Sequence, residues 1–105
     1  MAQFDVHRNT GAQRTDIPFV VVVQSKRLDN YRRRVVIPLV RTAVAGSPEP
    51  TLNPSFVVDS QEVVLHPLEI VSVAVERLGD HVGNLAHDGD RIIAAIDLVI
   101  TRAWK

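Results

Sequence analysis

The chain has 105 residues, 12 Lys and Arg against 12 Asp and Glu, 46% hydrophobic residues and no cysteine. This length and balance predict one domain over residues 1–105 and exclude a disordered tail protein, while the lack of thiols excludes disulfides and thiolate metal sites. The longest apolar run, residues 17–23, is too short to span a bilayer, and charges interrupt residues 1–8 where a signal peptide needs apolar residues. A cytoplasmic protein with no membrane contact is therefore expected.

Most of the chain has the composition of β-strands, with 18 valines and seven isoleucines. In chain order, the predicted strands are residues 3–7, 19–24, 34–42, 55–58, 62–65 and 70–76, separated by turn-forming residues. The continuous apolar run over 19–23 predicts a strand buried on both faces, and the alternation over 71–75 predicts a strand with one face against the core. Pro38 lacks a backbone donor, so its strand must have a bulge there or lie at an edge.

The hydrophobic period changes to that of a helix after Asp88, where acidic residues favour a helix start. An apolar stripe with spacings of three and four follows at Ile92, Ile93, Ile96, Val99 and Ile100. Arg102 and Lys105 are expected in its last turn, where positive charge is favoured. The predicted fold is mostly β, an antiparallel sheet with one C-terminal α-helix.

Charge is distributed unevenly along the chain. Residues 1–45 have eight Lys and Arg against three acids, and residues 46–100 have two against nine. This uneven charge suits pairing between oppositely charged surfaces of two molecules. Alternatively, the two halves interleave in the fold and their electrostatic fields cancel. The run Arg32–Arg33–Arg34 fits either a contact with phosphate or an acidic partner, or a solvated strand entry, and the second is favoured because Tyr31 is the only adjacent aromatic.

The sequence has few signs of catalytic chemistry. The four histidines are not spaced to present two ligands from one helical turn, so ordinary surface histidines are expected. Nucleophile and phosphate-loop motifs are lacking in the sequence. We expect a protein that is not an enzyme and needs neither a cofactor nor a metal. Trp104 fits two roles equally well, a core residue packed near Ile100 or a contact point for a partner.

Several short segments resemble the CcdB toxin family in the same order over nearly the whole chain. They are Gln3-Phe4-Asp5-Val6, Val22-Val23-Gln24-Ser25, Arg34-Val35-Val36-Ile37-Pro38-Leu39, Leu52-Asn53-Pro54, Leu78-Gly79 and Ala95-Ile96-Asp97-Leu98. The resemblance implies an SH3-like sheet of about five strands with a small side sheet. It also implies a homodimeric toxin of a toxin–antitoxin pair that binds the DNA gyrase A subunit and traps gyrase on cleaved DNA. A CcdA-like antitoxin would neutralise it, and direct sequence-specific nucleic-acid binding is not expected.

The same resemblance places a face for gyrase and antitoxin at Gln3, Phe4, Ser25, Leu28 and Asp97. The end of the helix is expected to extend this face, at Ile100, Thr101, Arg102 and Trp104. The chain departs from the family where a Trp-Gly-Ile end is replaced by Thr101, Arg102 and Ala103. If the helix continued, Trp104 would lie within about 60° of the family's tryptophan and about 4.5 Å further along. Two alternatives stay open: a non-toxic dimer that keeps antitoxin binding, and a MazF-like ribonuclease suggested by shared architecture and the basic stretch.

Overall fold

The computed structural model describes residues 1–101, which form seven strands and one α-helix. The strands are β1 (Asp5–Arg8), β2 (Phe19–Val22), β3 (Arg33–Arg41), β4 (Ser55–Val58), β5 (Gln61–Leu65), β6 (Val71–Ala74) and β7 (His81–Asn84), and the helix is α1 (Gly89–Ile100). Short 3-10 turns join several of them. The prediction of a mostly antiparallel β fold with one C-terminal helix is confirmed.

The strands form one antiparallel sheet in the order β4-β5-β3-β2-β1-β7, and β6 branches from β3. The branch is possible because β3 has nine residues and its partners are short. One side of β3 pairs with β2, while its other side pairs first with β6 and then with β5. Residues 1–101 thus form one seven-stranded sheet with β6 as a branch, where the resemblance implied about five strands and a small side sheet.

Pro38 lies at this branch. Its partner in β2 is Val20, and the β2–β3 register continues without a shift on both sides of Pro38. The Pro38 carbonyl accepts a hydrogen bond from the His66 N–H at 3.1 Å, so its backbone faces the gap between the last residue of β5 and the first residue of β6. The strand is locally an edge at this residue, and the missing donor disrupts no ladder.

The core lies between the inner face of the sheet and one side of α1. Fully buried side chains from four strands and the helix meet there: Val6, Phe19, Val21, Ile37, Leu39, Val63, Leu65, Ile92 and Ala95. Each large one contributes about 1.5–3 kcal/mol relative to an exposed position. The burial predicted for residues 19–23 is confirmed apart from the half-buried Val20.

A strand forms at β6 as predicted, but its predicted burial against the core is wrong. Val71 is exposed and Val73 is only half-buried, because β6 pairs with the first four residues of β3 and supplies no residue to the main core. Val73 instead lines a cavity of about 250 Å³ together with Val20, Val36 and Leu78.

Element boundaries also differ from the prediction, and one strand was missed. The first strand begins at Asp5 because Phe4 has a positive φ of 71°. Strand β7 was missed because Gly83 and its polar neighbours have weak β propensity. The helix ends at Ile100 and the β-branched Thr101 is extended, with φ −67° and ψ 150°. Arg102 and Lys105, expected in the last turn, lie outside the described residues.

Candidate functional site

Gln3 and Phe4 lie beside the carboxyl end of β2. The Gln3 side-chain amide donates to the Val23 carbonyl at 3.0 Å, and the Phe4 N–H donates to the Val22 carbonyl at 2.6 Å. On the other side, the Phe4 carbonyl accepts from the Leu85 N–H at 2.9 Å. The segment before β1 is therefore fixed by hydrogen bonds from both directions.

The Phe4 ring connects this segment to the start of α1. A Cβ added at Gly89 would lie 2.8 Å from Phe4 Cε2, so only glycine allows the ring to lie this close to the helix. Phe4 also packs against the main core as a partly buried residue. Both predicted residues thus have structural contacts as well as a half-exposed surface.

Ser25 and Leu28 are in the loop between β2 and β3. The Ser25 hydroxyl accepts a hydrogen bond from the Arg27 N–H at 3.2 Å and caps the turn Lys26–Leu28. The Gln24 side chain connects the start of this loop to β3, since it donates to the Leu28 carbonyl and accepts from the Val35 N–H. Ser25 is half-buried and Leu28 is exposed at the tip of the turn.

Asp97, Ile100 and Thr101 lie at the carboxyl end of α1 and are all exposed. The predicted apolar stripe is only half covered by the sheet. Ile92, Ala95 and Ile96 face the core, whereas four large apolar side chains are exposed: Ile93, Leu98, Val99 and Ile100. Ile100 is 69% exposed. Ile93 and Ile100 share one side of α1, whereas Leu98 and Val99 point in other directions, so the carboxyl half of the helix is apolar and exposed on more than one side.

The structure arranges the predicted partner residues in two groups. Gln3, Phe4 and Ser25 cluster around the end of β2, next to the start of α1. Asp97 lies eight residues further along the helix, about 12 Å from Gly89. Arg102 and Trp104 lie outside the described residues.

A polar cluster that the sequence does not predict lies where β1 meets β7. The Asp5 carboxylate accepts hydrogen bonds from Asn84 Nδ2 at 2.8 Å and from the Ala2 N–H at 2.8 Å, and His81 Nε2 lies 3.2 Å away. Burial alone would raise the pKa of Asp5, but the hydrogen bonds from Asn84, Ala2 and His81 together lower it.

His7 corrects the expectation of ordinary surface histidines. It is buried, its Nδ1 lies 2.9 Å from the Gly79 carbonyl, and its ring meets the His81 ring edge-on with 5.5 Å between centroids. A bulge between Val6 and His7 changes the register here and brings the two rings together. The only signal in the sequence is that His7 ends a predicted strand.

A sequence profile described as CcdB protein matches residues 3–101. The chain belongs to the CcdB family. No curated protein matches it. CcdB proteins are toxins of toxin–antitoxin systems, so the resemblance drawn from the short segments is confirmed at the level of the family.

The CcdB match runs from Gln3, before β1, to Thr101, directly after α1. It therefore includes both groups of predicted partner residues and stops before Arg102 and Trp104.

Among residues 1–101 of this CcdB chain, no group of three His, Asp or Glu side chains is placed to hold a metal ion. None of the helices in the same range has the length and apolar character needed to cross a membrane.

Proposed function

We propose that this CcdB-family chain is a toxin that binds the DNA gyrase A subunit and traps gyrase–DNA cleavage complexes in the cytoplasm. In this proposal it acts by binding, as a homodimer, and a CcdA-like antitoxin neutralises it. The observation that carries the proposal is the uncovered apolar half of α1 in a chain of this family.

The exposed helix residues are suited to binding a partner. Burying an isoleucine side chain that is now in water contributes about 1.5–3 kcal/mol, and Ile93 and Ile100 lie seven residues apart on one side of α1. Asp97, between them in sequence, adds a charged group that would help to fix the orientation of a partner. The side of α1 that holds Ile93 and Ile100 therefore combines apolar area with one charged group.

A homodimer suits the proposed target. Gyrase A subunits are themselves paired by a two-fold axis, and a two-fold toxin presents the same surface to both. Part of the exposed face of α1 would be covered by the second copy, and the residues near Ile100 would remain for gyrase. An antitoxin with a disordered tail would fold onto this face and compete with gyrase.

The second candidate is a dimer that binds an antitoxin without poisoning gyrase. It is favoured by the end of α1 at Ile100, since the extended backbone of Thr101 turns the chain out of the helix. Thr101 and Arg102 stand where the family has tryptophan and glycine. Burying the unpaired charge of Arg102 in a close contact would cost several kcal/mol.

Inducible expression in two bacterial strains tests the first candidate, one with sensitive gyrase and one with a resistant A subunit. Growth arrest in the sensitive strain alone supports gyrase as the target, and equal arrest in both strains rejects it. Ile100→Asp should relieve the arrest, whereas Val57→Asp should not, because Val57 is equally exposed, at 70%, on β4.

A graft separates the two candidates. The triple substitution Thr101→Trp, Arg102→Gly and Ala103→Ile restores the family's terminal residues after Ile100. If the parent chain is harmless and the graft is toxic, the second candidate is correct. Toxicity of the parent chain itself rejects it.

A further inference from the structure

Three cations of the β2–β3 loop and the first residue of β3 form a second surface, apart from the helix face. They are Lys26, Arg27, Arg32 and Arg33, which we call the basic loop surface, and all four are exposed. Arg32 has a side chain that is 89% exposed, and its nearest acidic atom, Glu76 Oε1, is 4.0 Å away. An ion pair this long and this exposed contributes little, so the charge of Arg32 is available to a ligand.

The acidic residue inside the loop does not neutralise these cations. Asp29 pairs with Arg34 at 3.8 Å and with the amino-terminal ammonium at 3.6 Å. Both of those positive groups lie outside the basic loop surface. The loop therefore keeps a concentrated positive charge although the whole chain has a formal net charge of zero.

An exposed aromatic ring lies among the cations. Tyr31 is 66% exposed and lines an open depression together with Leu28, Gln24 and Arg33. An aromatic ring that is open to solvent, in a depression also lined by an arginine, is a surface on which an unstacked base can stack.

The surface is held in place before any ligand arrives. Arg34 is buried beneath it and donates to the Tyr31 carbonyl at 2.6 Å and the Asp29 carbonyl at 3.2 Å. Arg33 Nε and Nη2 donate to the Ser72 hydroxyl and carbonyl, both at 2.7 Å, which fixes one edge of its guanidinium and leaves Nη1 for a phosphate. Groups that are already ordered lose less entropy on binding.

We propose that the basic loop surface binds single-stranded nucleic acid without sequence preference. Lys26, Arg27, Arg32 and Arg33 contact the phosphates, and a base stacks on Tyr31. A single strand is favoured over an acidic protein because arginine forks match phosphate oxygens and every base offers a face to an aromatic ring. It is favoured over a duplex because stacking on Tyr31 requires an unpaired base. Leu28 lines the same depression and also belongs to the predicted gyrase and antitoxin face, so nucleic acid is tested in the absence of both proteins.

Fluorescence anisotropy of the full-length protein with a labelled 15-nucleotide oligothymidine tests the proposal, without gyrase or antitoxin present. Titrations at several salt concentrations compare Arg27→Gln/Arg32→Gln with Arg14→Gln/Arg41→Gln, which removes two exposed arginines elsewhere. The first pair should lower the slope of log K against log salt by about 1.4 units, since each lost phosphate contact accounts for about 0.7. The control pair should leave the slope close to that of the parent chain.

Tyr31→Ala separates stacking from charge. It should weaken oligothymidine binding about 5- to 100-fold, the range for loss of one stacked base. A labelled oligoglutamate and a duplex of the same length serve as competing ligands. Equal slopes for the two arginine pairs, no effect of Tyr31→Ala, or tighter binding of either competitor than of oligothymidine would each overturn the proposal.

Discussion

Replacing Arg34 with methionine tests whether one buried cation organises the loop between β2 and β3. The side chain is 6% exposed and its guanidinium donates to the carbonyls of Tyr31, Arg33 and Asp29 at 2.6, 2.9 and 3.2 Å. Methionine fills much of the same volume but cannot donate. Arg32→Met is the matched control, because it removes the same group two residues earlier from an exposed position.

The expected cost follows from these contacts. Hydrogen bonds from a charged donor contribute about 1.5–3 kcal/mol each, and their effects are not additive. Asp29 keeps its contact with the amino-terminal ammonium and is partly solvated, which lowers the penalty for losing its partner. We expect Arg34→Met to lower the free energy of unfolding by about 2–4 kcal/mol, and Arg32→Met to change it by less than about 0.5 kcal/mol.

Urea unfolding followed by far-ultraviolet circular dichroism measures this difference. Amide hydrogen exchange should show reduced protection at Tyr31 and Leu28 in Arg34→Met, since their N–H groups donate within the loop, to the carbonyls of Leu28 and Ser25. Equal destabilisation by the two variants, or unchanged protection of the loop amides, would refute the role assigned to Arg34.

Three further predictions address packing, pH dependence and assembly. Gly79→Ala should destabilise the fold by about 1–3 kcal/mol because the new Cβ would lie 2.7 Å from the Arg8 carbonyl oxygen. The control Gly83→Ala adds a Cβ that meets no atom of residues 1–101 within 4 Å, so it should change the urea midpoint little. Equal urea midpoints for the two variants would contradict this prediction. Because the folded state lowers the pKa of Asp5, its ionised carboxylate stabilises the fold above its ordinary pKa. This stabilisation is lost as pH falls below about 4. Asp5→Asn should reduce the fall in the free energy of unfolding between pH 7 and pH 2, and an unchanged fall would argue against this role of Asp5. Sedimentation equilibrium should give twice the chain mass of 11.6 kDa for the parent and a lower mass for Ile93→Asp; a monomeric parent would contradict the dimer.

The sequence predicted those elements whose signals are local. The valine-rich strands and the spacing of three and four in α1 depend on neighbouring residues, so β2, β3 and the helix were found. Strand β7 was missed because its pairing with β1 supplies what its own residues lack. Pro38 shows the same limit, since the branch of β3 that accommodates it depends on two distant strands.

The candidate site was predictable only in part. The spacing in α1 predicted an apolar stripe, but which half would be covered depends on how the helix packs against the sheet. Ile92 is buried and its neighbour Ile93 is not. The cluster around Asp5 joins residues 79 positions apart in the chain, Asp5 and Asn84, and no local pattern indicates such a contact.

A cleavage assay with purified gyrase tests the central proposal most directly. Supercoiled plasmid, gyrase and ATP are incubated with increasing amounts of the protein, and linear DNA is measured after denaturation of gyrase. The proposal predicts that linear DNA accumulates with wild-type A subunits, that Ile100→Asp reduces it and that Val57→Asp does not. No linear DNA at any protein concentration, or the same amount with a resistant A subunit, would contradict the proposal that this chain acts by trapping gyrase.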